Sequence, residues 1–333
     1  SNRNLIINGA MQVAQRGTSF TGVTASGTFP VDRFLFHVGS LGTWTLSQST
    51  DVPTGQGFVK SIKCDVTTAN ASPSGTAYAR IDHRFEGQDL QAFCKGTSNA
   101  KQFALSFWVK SPKTGTHIVE LQDADNNRLI SKAYTVSTAD TWEKKELIID
   151  ADTTGVFDND NAKSLTVAWW LSAGTDYKSG TLATSWVSPT NANRVVGQVN
   201  VADNTANNFY LTGVQLEVGS NNTDYEFRSY AQELWLCSRY YQQVWYYRLT
   251  GSTSDDNMYY EDRPFFPHMR AAPSLVAGYD TNNENDFETR DGTTWRTGVP
   301  TLIISKTFGA SVRSTNSSRY NSIKGILHYS AEL

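Results

Sequence analysis

The sequence has few charged residues and no long apolar run. Asp, Glu, Lys and Arg make up 18% of the 333 residues, and the formal net charge is −3. Lys and Arg form no basic block, whereas a protein that binds a phosphate backbone needs a positive surface. We therefore expect no nucleic acid partner. Because no run approaches the roughly 20 apolar residues that cross a bilayer, we also expect no membrane insertion.

Cysteine is scarce and shows no pattern. Cys64, Cys94 and Cys237 are far apart, odd in number and without CxxC spacing, which argues against a disulfide framework. We expect all three to be reduced, buried thiols. The opening residues SNRNLIING lack an initiator Met and a signal-peptide pattern, so we expect a tag remnant joined to part of a longer polypeptide.

Catalytic motifs are also missing. The sequence has no nucleophile elbow, no H-E-x-x-H, no P-loop and no dinucleotide fingerprint, and none of its five histidines has a partner at metal-ligand spacing. We predict no catalytic residue and no metal site. A glycoside-cleaving carboxylate pair stays open, because its separation is set by the fold. The carboxylates on neighbouring predicted strands, whose simpler interpretation is solvated sheet-face charge, are Glu120, Asp123, Glu143 and Glu146.

Two acidic segments partly resemble calcium loops. Asp123, Asp125 and Asn127 match the first ligands of an EF-hand, but Arg128 replaces the turn glycine and Tyr134 replaces the bidentate Glu. Asp and Asn favour turns for their own reasons, so we interpret this segment and DNDN at 158–161 as polar hairpin tips. Calcium bound by distant loops stays open, and no other cofactor is predicted.

Aromatic residues are plentiful, at 12%, among many Ser, Thr, Asn and Gly. In QFALSFWVK, at 102–110, apolar residues recur with a period of two, which predicts a half-buried strand. Short strands with regular turns and no βαβ pattern predict an all-β protein with an antiparallel jelly-roll β-sandwich. The other predicted strands lie at 33–37, 43–47, 60–66, 77–82, 117–122, 128–136, 142–149, 165–171 and 209–218, the last with a β-bulge at Gly213.

One amphipathic helix follows the last of these strands. Ser229 and Gln232 form a capping box at its start. A single helical face follows at steps of four and three, and it packs either on its own sandwich or on copies of itself around a symmetry axis. The residues of this face, our oligomer-interface candidates, are Tyr230, Leu234, Cys237, Tyr241 and Val244.

The predicted elements divide the chain into three parts. We predict a jelly-roll domain at 1–225, a connecting helix at 226–246 and a small C-terminal β domain at 247–333. Two strands are predicted in the last part, at 301–307 and 323–330. This part is small for an independent core and would gain stability by packing on a neighbouring subunit.

Several aromatic residues are candidates for a glycan-binding platform. Trp108 and Trp170 fall on the polar parity of their strands, which predicts that both stand on an exposed sheet face. An exposed Trp offers an apolar plate to the C–H face of a sugar, while polar neighbours bond its hydroxyls. Tyr177 and Trp186, in a segment rich in Gly, Ser and Thr, extend this platform. Packing in an interface is the alternative for all four.

Three parts of the sequence carry a family resemblance. They are NLIINGAMQVAQRGTSF with FPVDRFLF, the junction FYLTGVQLEVGSNNTDYEFRSYAQELWLCSRYYQ, and FPHMRAAPSL with the terminal SAEL. Together they resemble bacteriophage tail-fibre and related virion proteins with a carbohydrate-binding-module-like jelly roll. The resemblance implies a homotrimeric virion component that attaches the particle to bacterial surface polysaccharide, beside other phage tail proteins. It supplies no binding residues.

The leading hypothesis is a non-enzymatic protein of the phage tail, in the virion and extracellular when acting, that binds glycan for host attachment. Trimeric multivalency would strengthen weak single sites. Two alternatives stay open. One is a polysaccharide depolymerase, and the other is a ligand-free structural virion protein, such as a decoration or baseplate protein, in which every aromatic residue is packing.

Overall fold

The chain forms two compact units. The computed structural model describes residues 3–247, 259–276, 288–291, 294–297, 301–306, 309–314 and 323–333. Unit 1 comprises Ser1–Glu233 with Leu333, and unit 2 comprises Leu234–Glu332. Among the described residues, no helix combines the length and the apolar character needed to cross a bilayer.

Within the described residues, unit 1 is a sandwich of two six-stranded antiparallel sheets. Its strands are β1 (Ser19–Val23), β2 (Thr28–Val31), β3 (Phe34–Gly39), β4 (Thr43–Ser49), β5 (Ser61–Thr68), β6 (Tyr78–Glu86), β7 (Phe103–Lys110), β8 (Gly115–Asp123), β9 (Arg128–Val136), β10 (Glu143–Ile149), β11 (Lys163–Ala173) and β12 (Asn208–Val218). Sheet 1 has the order β1-β4-β5-β12-β7-β10, and sheet 2 has the order β2-β3-β6-β11-β8-β9. The predicted all-β jelly-roll sandwich is confirmed.

The alternation in the sequence decides which face of each strand is buried. In β7 the side chains of Phe103, Leu105 and Phe107 are fully buried in the core. The ring of Trp169 in β11 meets that of Phe107 edge-on, with 5.8 Å between centroids. Each large apolar side chain removed from water stabilises the fold by about 1.5–3 kcal/mol, so the repeated alternation holds the two sheets together.

A β-bulge interrupts β12 at Gly213, where it is predicted. The pairing of β12 with β7 shifts register between Thr212 and Gln215. Gly213 has a φ of +60°, a value that L side chains rarely adopt. A Cβ at this position would lie 2.6 Å from Phe58 Cζ and 2.9 Å from Trp108 Cδ1. Glycine therefore permits both the bulge and the close approach of two aromatic rings.

The first residues of unit 1 are bound to its last residues. The backbone N–H of Leu5 donates to the carbonyl oxygen of Leu216 at 2.9 Å. The backbone N–H of Asn8 donates to Glu233 Oε2 at 2.7 Å, and Arg228 Nη1 donates to Glu233 Oε1 at 3.3 Å. These bonds form a terminal clamp that holds the start of the unit beside its exit.

The helix α1 spans Tyr230–Ser238 and is shorter than predicted. Its start has the predicted capping box, since Ser229 N donates to Gln232 Oε1 at 3.0 Å and Gln232 N donates to Ser229 Oγ at 3.3 Å. It ends where Tyr240 N donates to Cys237 O, a tight turn with an i to i−3 bond. The aromatic-rich run that follows favours a strand.

Unit 2 consists of the rest of α1 and short antiparallel strands. These are β13 (Tyr241–Tyr247), β14 (Tyr259–Pro264), β15 (Ser274–Val276), β16 (Glu288–Asp291), β17 (Thr294–Thr297), β18 (Thr301–Lys306), β19 (Gly309–Ser314) and β20 (Ile323–Ser330). In the described part, one sheet has the order β13-β20-β16-β17 with β15 also on β20, and another has the order β14-β19-β18. The two predicted strands correspond to β18 and β20, while Thr307 lies outside the described residues.

The prediction that one helical face continues to Val244 is wrong. Tyr241 and Val244 lie in β13. Of the five oligomer-interface candidates, Tyr230 is 55% exposed, Leu234 and Val244 are half-buried, and Cys237 and Tyr241 are buried. A side chain buried in its own chain is not available to a second copy, so Cys237 and Tyr241 are core residues.

The cysteines form no disulfide. Cys64 and Cys237 are buried as predicted, whereas Cys94 is exposed, which corrects the prediction of three buried thiols. Cys94 ends the short 3₁₀ turn Gln91–Phe93 with a φ of 50°. Its side chain faces solvent because it caps this turn at the surface instead of lying on an inward strand position.

We expect the stability of unit 1 to fall as the pH drops below about 6.5. Burial between the rings of Tyr134 and Phe209 lowers the pKa of His117 to about 4. The unfolded chain, with its higher pKa, takes up a proton first. The contribution of neutral His117 to the free energy of unfolding is fully present above its pKa in the unfolded chain. It is lost as the pH falls through the pKa of His117 in the folded chain, and the loss reaches about 3 kcal/mol at pH 4.

Urea unfolding measured between pH 7.5 and pH 4.5 checks this expectation. The His117→Gln variant should show a shallower fall than the native chain. Part of the slope should remain, because burial also lowers the pKa of His83. An equal slope in the variant and the native chain would exclude His117 as the cause.

Candidate functional site

The outer face of sheet 1 carries a row of aromatic and lysine side chains. Tyr210 of β12 is paired in register with Lys110 of β7 on one side and with Lys63 of β5 on the other. Trp142 directly precedes β10, and Lys110 Nζ lies 5.7 Å from its ring centroid and 4.5 Å from that of Tyr210. Ammonium groups at these distances are attracted to aromatic faces. Trp142, Lys110, Tyr210 and Lys63 form the aromatic–lysine row.

Asp51 holds two members of this row in place. Its Oδ1 accepts a hydrogen bond from Trp142 Nε1 at 2.9 Å, and its Oδ2 accepts one from Lys110 Nζ. Burial raises the pKa of the Asp51 carboxyl, but the hydrogen bonds from Lys110 and Trp142 outweigh this effect, and the pKa lies below its usual value. The carboxylate is therefore ionised at neutral pH and fixes the indole and the ammonium.

Trp108 adjoins the row on the same face. Its Cα partners are Thr212 of β12 and Lys144 of β10. It is half-buried, with one edge beside the bulge at Gly213. Trp108 and Trp142 thus present two half-buried indole rings on this sheet surface, whereas the ring of Tyr210 is buried below the ammonium groups of Lys110 and Lys63.

The lysines of this face are each paired with a carboxylate. Besides Lys110, Lys63 Nζ lies 3.1 Å from Asp65 Oδ2, and Lys144 Nζ lies 2.6 Å from Glu146 Oε1. These exposed pairs add little stability, but they balance the charge of the surface. The face therefore offers apolar rings and hydrogen-bonding groups without a surplus of either charge.

Trp170 lies on the outer face of sheet 2 but is covered. It is 1% exposed, because Tyr177 and Val195 of the segment 174–200 pack over it, with 5.5 Å between the ring centroids of Trp170 and Tyr177. The predicted exposure of Trp170 is wrong, since strand parity gives the face of the sheet but not the segment above it. Tyr177 itself is half-buried.

Trp186 is also buried, which corrects its predicted place on an exposed loop. Its side chain joins the main core, with its ring centroid 5.9 Å from that of Phe103. Its Nε1 donates a hydrogen bond to the carbonyl oxygen of Asp150 at 2.7 Å. Apolar contact and a satisfied indole N–H explain why this loop residue lies inside.

Trp142, Tyr210 and Asp51 are not among the candidates predicted from the sequence. Trp142 shares the parity of Lys144 in its strand, and Tyr210 has the parity opposite to its buried neighbours. The strand-parity rule that identified Trp108 applies equally to Trp142 and Tyr210. Asp51 carries no such signal, because its role depends on the fold of the segment between β4 and β5 over the sheet.

A buried lysine fills the position that we considered for calcium. Lys95 Nζ lies 2.5 Å from Asp123 Oδ2 and 3.1 Å from Asp152 Oδ2. It donates to the carbonyl oxygens of Thr154 at 2.9 Å and Gly155 at 2.8 Å. Carboxylate and carbonyl oxygens are the ligands that calcium prefers, and here they surround an ammonium group.

The other two members of the calcium-like pattern do not join this oxygen set. Asp125 Oδ2 accepts a hydrogen bond from Asp158 N at 3.0 Å, which links the two acidic segments. Asn127 lines a cleft on sheet 2. Across the part of the chain that the structure describes, no group of three or more His, Cys, Asp or Glu residues is placed to hold a metal ion.

No protein-family model and no curated protein matches the chain by sequence. Among solved structures, the enzymatically active domain of tailspike protein 4 of bacteriophage CBA120 is 14% identical, with a TM-score of 0.33 over 65% of this chain and 21% of that chain. The family 11 carbohydrate-binding module of Clostridium thermocellum, in complex with a β-1,3-1,4-mixed-linked tetrasaccharide, is 12% identical, with a TM-score of 0.29 over 62% and 98% of the two chains.

A third similar structure also comes from Clostridium thermocellum. The CBM22-1 and GH10 modules of its endo-1,4-β-D-xylanase 10B, complexed with xylohexaose, are 13% identical, with a TM-score of 0.29 over 63% of this chain and 30% of that chain. The present chain spans about a fifth of the tailspike chain. Likeness at this level assigns neither a ligand nor an activity.

Replacing Lys95 with Met should lower the free energy of unfolding by about 3–5 kcal/mol, because Asp123 and Asp152 would keep buried charge without their shared cation. Urea unfolding measures the loss. The control is Lys101→Met at an exposed position, which should change stability by less than about 0.5 kcal/mol. A loss below about 1 kcal/mol in the Lys95 variant would show that the oxygen set does not depend on the ammonium.

Proposed function

We propose that this protein is a non-enzymatic glycan-binding protein whose binding surface is formed by Trp108 and the aromatic–lysine row. The observation that carries the proposal is the half-buried indole of Trp142 beside paired charges, with half-buried Trp108 on the same sheet face. The C–H face of a sugar packs on an indole ring, and Asp and Lys side chains bond its hydroxyls. Tyr177, half-buried on the other sheet, is a secondary candidate.

The four carboxylates considered for glycoside cleavage are all held in ion pairs, which supports a binding role. The general acid in glycoside cleavage delivers a proton from its carboxyl oxygen to the leaving-group oxygen, and an ion pair occupies that carboxyl oxygen. The four carboxylates on or near the predicted strands all have a basic partner: Glu120 with Arg194, Asp123 with Lys95, Glu143 with Lys145 and Glu146 with Lys144.

The proposal extends to the setting of the protein. The three segments that resemble phage tail-fibre proteins support a place in a virion tail, with other tail proteins as neighbours and bacterial surface polysaccharide as the target. A homotrimer would present three copies of the binding surface and so strengthen weak single contacts. Tyr230 stays an accessible interface candidate in unit 1.

The Trp108→Ala and Trp142→Ala variants test the binding surface. Each should weaken binding to a neutral polysaccharide by about tenfold, because stacking on an indole contributes about 1 kcal/mol or more. Affinity electrophoresis in gels that contain different neutral polysaccharides measures the effect. The matched control is Trp235→Ala, an exposed tryptophan of unit 2. If both surface variants bind as tightly as the native chain, the aromatic–lysine row is not the binding surface.

The setting is tested on intact cells. Fluorescently labelled protein should bind some bacterial strains and not others in a panel that differs in surface polysaccharide, without releasing new reducing ends. Light scattering should give the mass of three copies of the 36.9 kDa chain. Reducing ends released from polysaccharide would favour a depolymerase, and a trimer that binds no strain would favour a structural virion protein.

A further inference from the structure

The cleft that Asn127 lines lies on sheet 2, the sheet opposite the aromatic–lysine row. It has a volume of ≈ 300 Å³. Thr166 and Lys163 of β11 and Gln122 of β8 line it from the sheet, and Pro189 and Arg194 line it from the segment 174–200. This volume is at the lower end of the range for ligand sites, so it suits one sugar residue and not a long chain.

The carboxylates around this cleft are already bound to cations. Glu120 is fully buried and accepts two hydrogen bonds from Arg194, at 2.8 and 2.7 Å. Asp152 accepts one from Arg128 Nε at 2.7 Å. Asp123 is bound to the buried ammonium described above. None of these acidic groups is left to neutralise a further positive charge.

Of the cations that line the cleft, Lys163 is the one without a close counter-ion among the described residues. Among the described residues no carboxylate lies within 4 Å of its ammonium, and the nearby Asp82 is already contacted by Arg80 at 3.1 Å and by His37 at 3.3 Å. Burial lowers the pKa of Lys163, and the guanidinium of Arg84 lowers it further, while Asp82 opposes both. The mouth of the cleft therefore holds surplus positive charge.

We propose that this cleft binds a sugar residue that carries a negative charge, with Lys163 as its counter-ion and the amide oxygen of half-buried Gln122 as an acceptor for its hydroxyls. The inference rests on the proposed function in that the ligand is a saccharide. It uses a different chemistry from sheet 1, where every lysine of the row has a carboxylate partner and flat rings are offered instead. The protein thereby recognises acidic glycans through sheet 2.

A titration with three small sugars tests the cleft. D-glucuronate, D-glucose 6-phosphate and D-glucose are added to the full chain, and backbone amide shifts are followed by NMR. D-glucuronate should shift the amides around 122 and 163–166, and D-glucose should not. The affinity for D-glucuronate should fall at least fivefold in Lys163→Gln, and it should also fall when the salt concentration is raised. It should not fall in Lys101→Gln, an exposed control.

The charged sugars also identify the recognised group. Binding of both supports charge as the recognised feature, and binding of D-glucuronate alone supports a carboxylate. The inference is overturned if D-glucose binds equally well, if Lys163→Gln leaves the affinity unchanged, or if no amide of the cleft responds.

The experiments distinguish failure of the proposed site in the cleft from failure of the proposed binding surface at the aromatic–lysine row. If D-glucuronate binding is lost in Trp142→Ala and kept in Lys163→Gln, the proposed site in the cleft is wrong and the proposed binding surface at the row is supported. If no neutral polysaccharide binds but D-glucuronate binding depends on Lys163, the proposed binding surface at the row is wrong and the proposed site in the cleft is supported.

Discussion

The register of β12 against its two neighbours is the constraint on which the core and the outer surface of unit 1 both depend. In β12, residues 208–211 pair with β5 and residues 210–212 and 215–218 pair with β7, so Tyr210 and Leu211 have fixed neighbours on two sides. A slip by one residue would turn Phe209 and Leu211 outward and Tyr210 inward. The bulge at Gly213 then resets the parity so that Val214 faces the core again. One strand therefore sets the packing inside and the spacing of the aromatic–lysine row outside.

Much of the fold follows from periodicity, but the covering of the sheets does not. Period-two alternation predicts the strands and the core face, and Ser229 with Gln232 predicts the start of the helix. Trp108 and Trp170 share the same parity signal, yet only Trp170 is covered by the segment 174–200. That segment has no period, so its path is decided by tertiary packing. The end of the helix was missed because β-propensity outweighed the continued step pattern at Tyr241.

A buried charge network fixes loops that apolar packing does not hold. Lys95 joins the hairpin tip at Asp123 to the segment at 152–155. Arg128 adds a bond from Nη2 to the carbonyl oxygen of Trp186 at 2.9 Å. Buried polar groups are costly when unpaired, so a fully partnered set specifies one arrangement of these loops. The same network occupies the acidic groups beside the sheet 2 cleft and leaves Lys163 as the group that sets its charge.

The terminal clamp has a mechanical consequence. The segments at 4–9 and 214–233 are hydrogen-bonded side by side, so tension applied between residues 4 and 233 first loads the bonds of Leu5 to Leu216 and of Asn8 to Glu233. A pull applied to the outer face of sheet 1 takes another route and is shared among the ladders of β10, β7, β12 and β5. Stretching of the chain and a pull on the face of sheet 1 are thus carried by different parts of the sandwich.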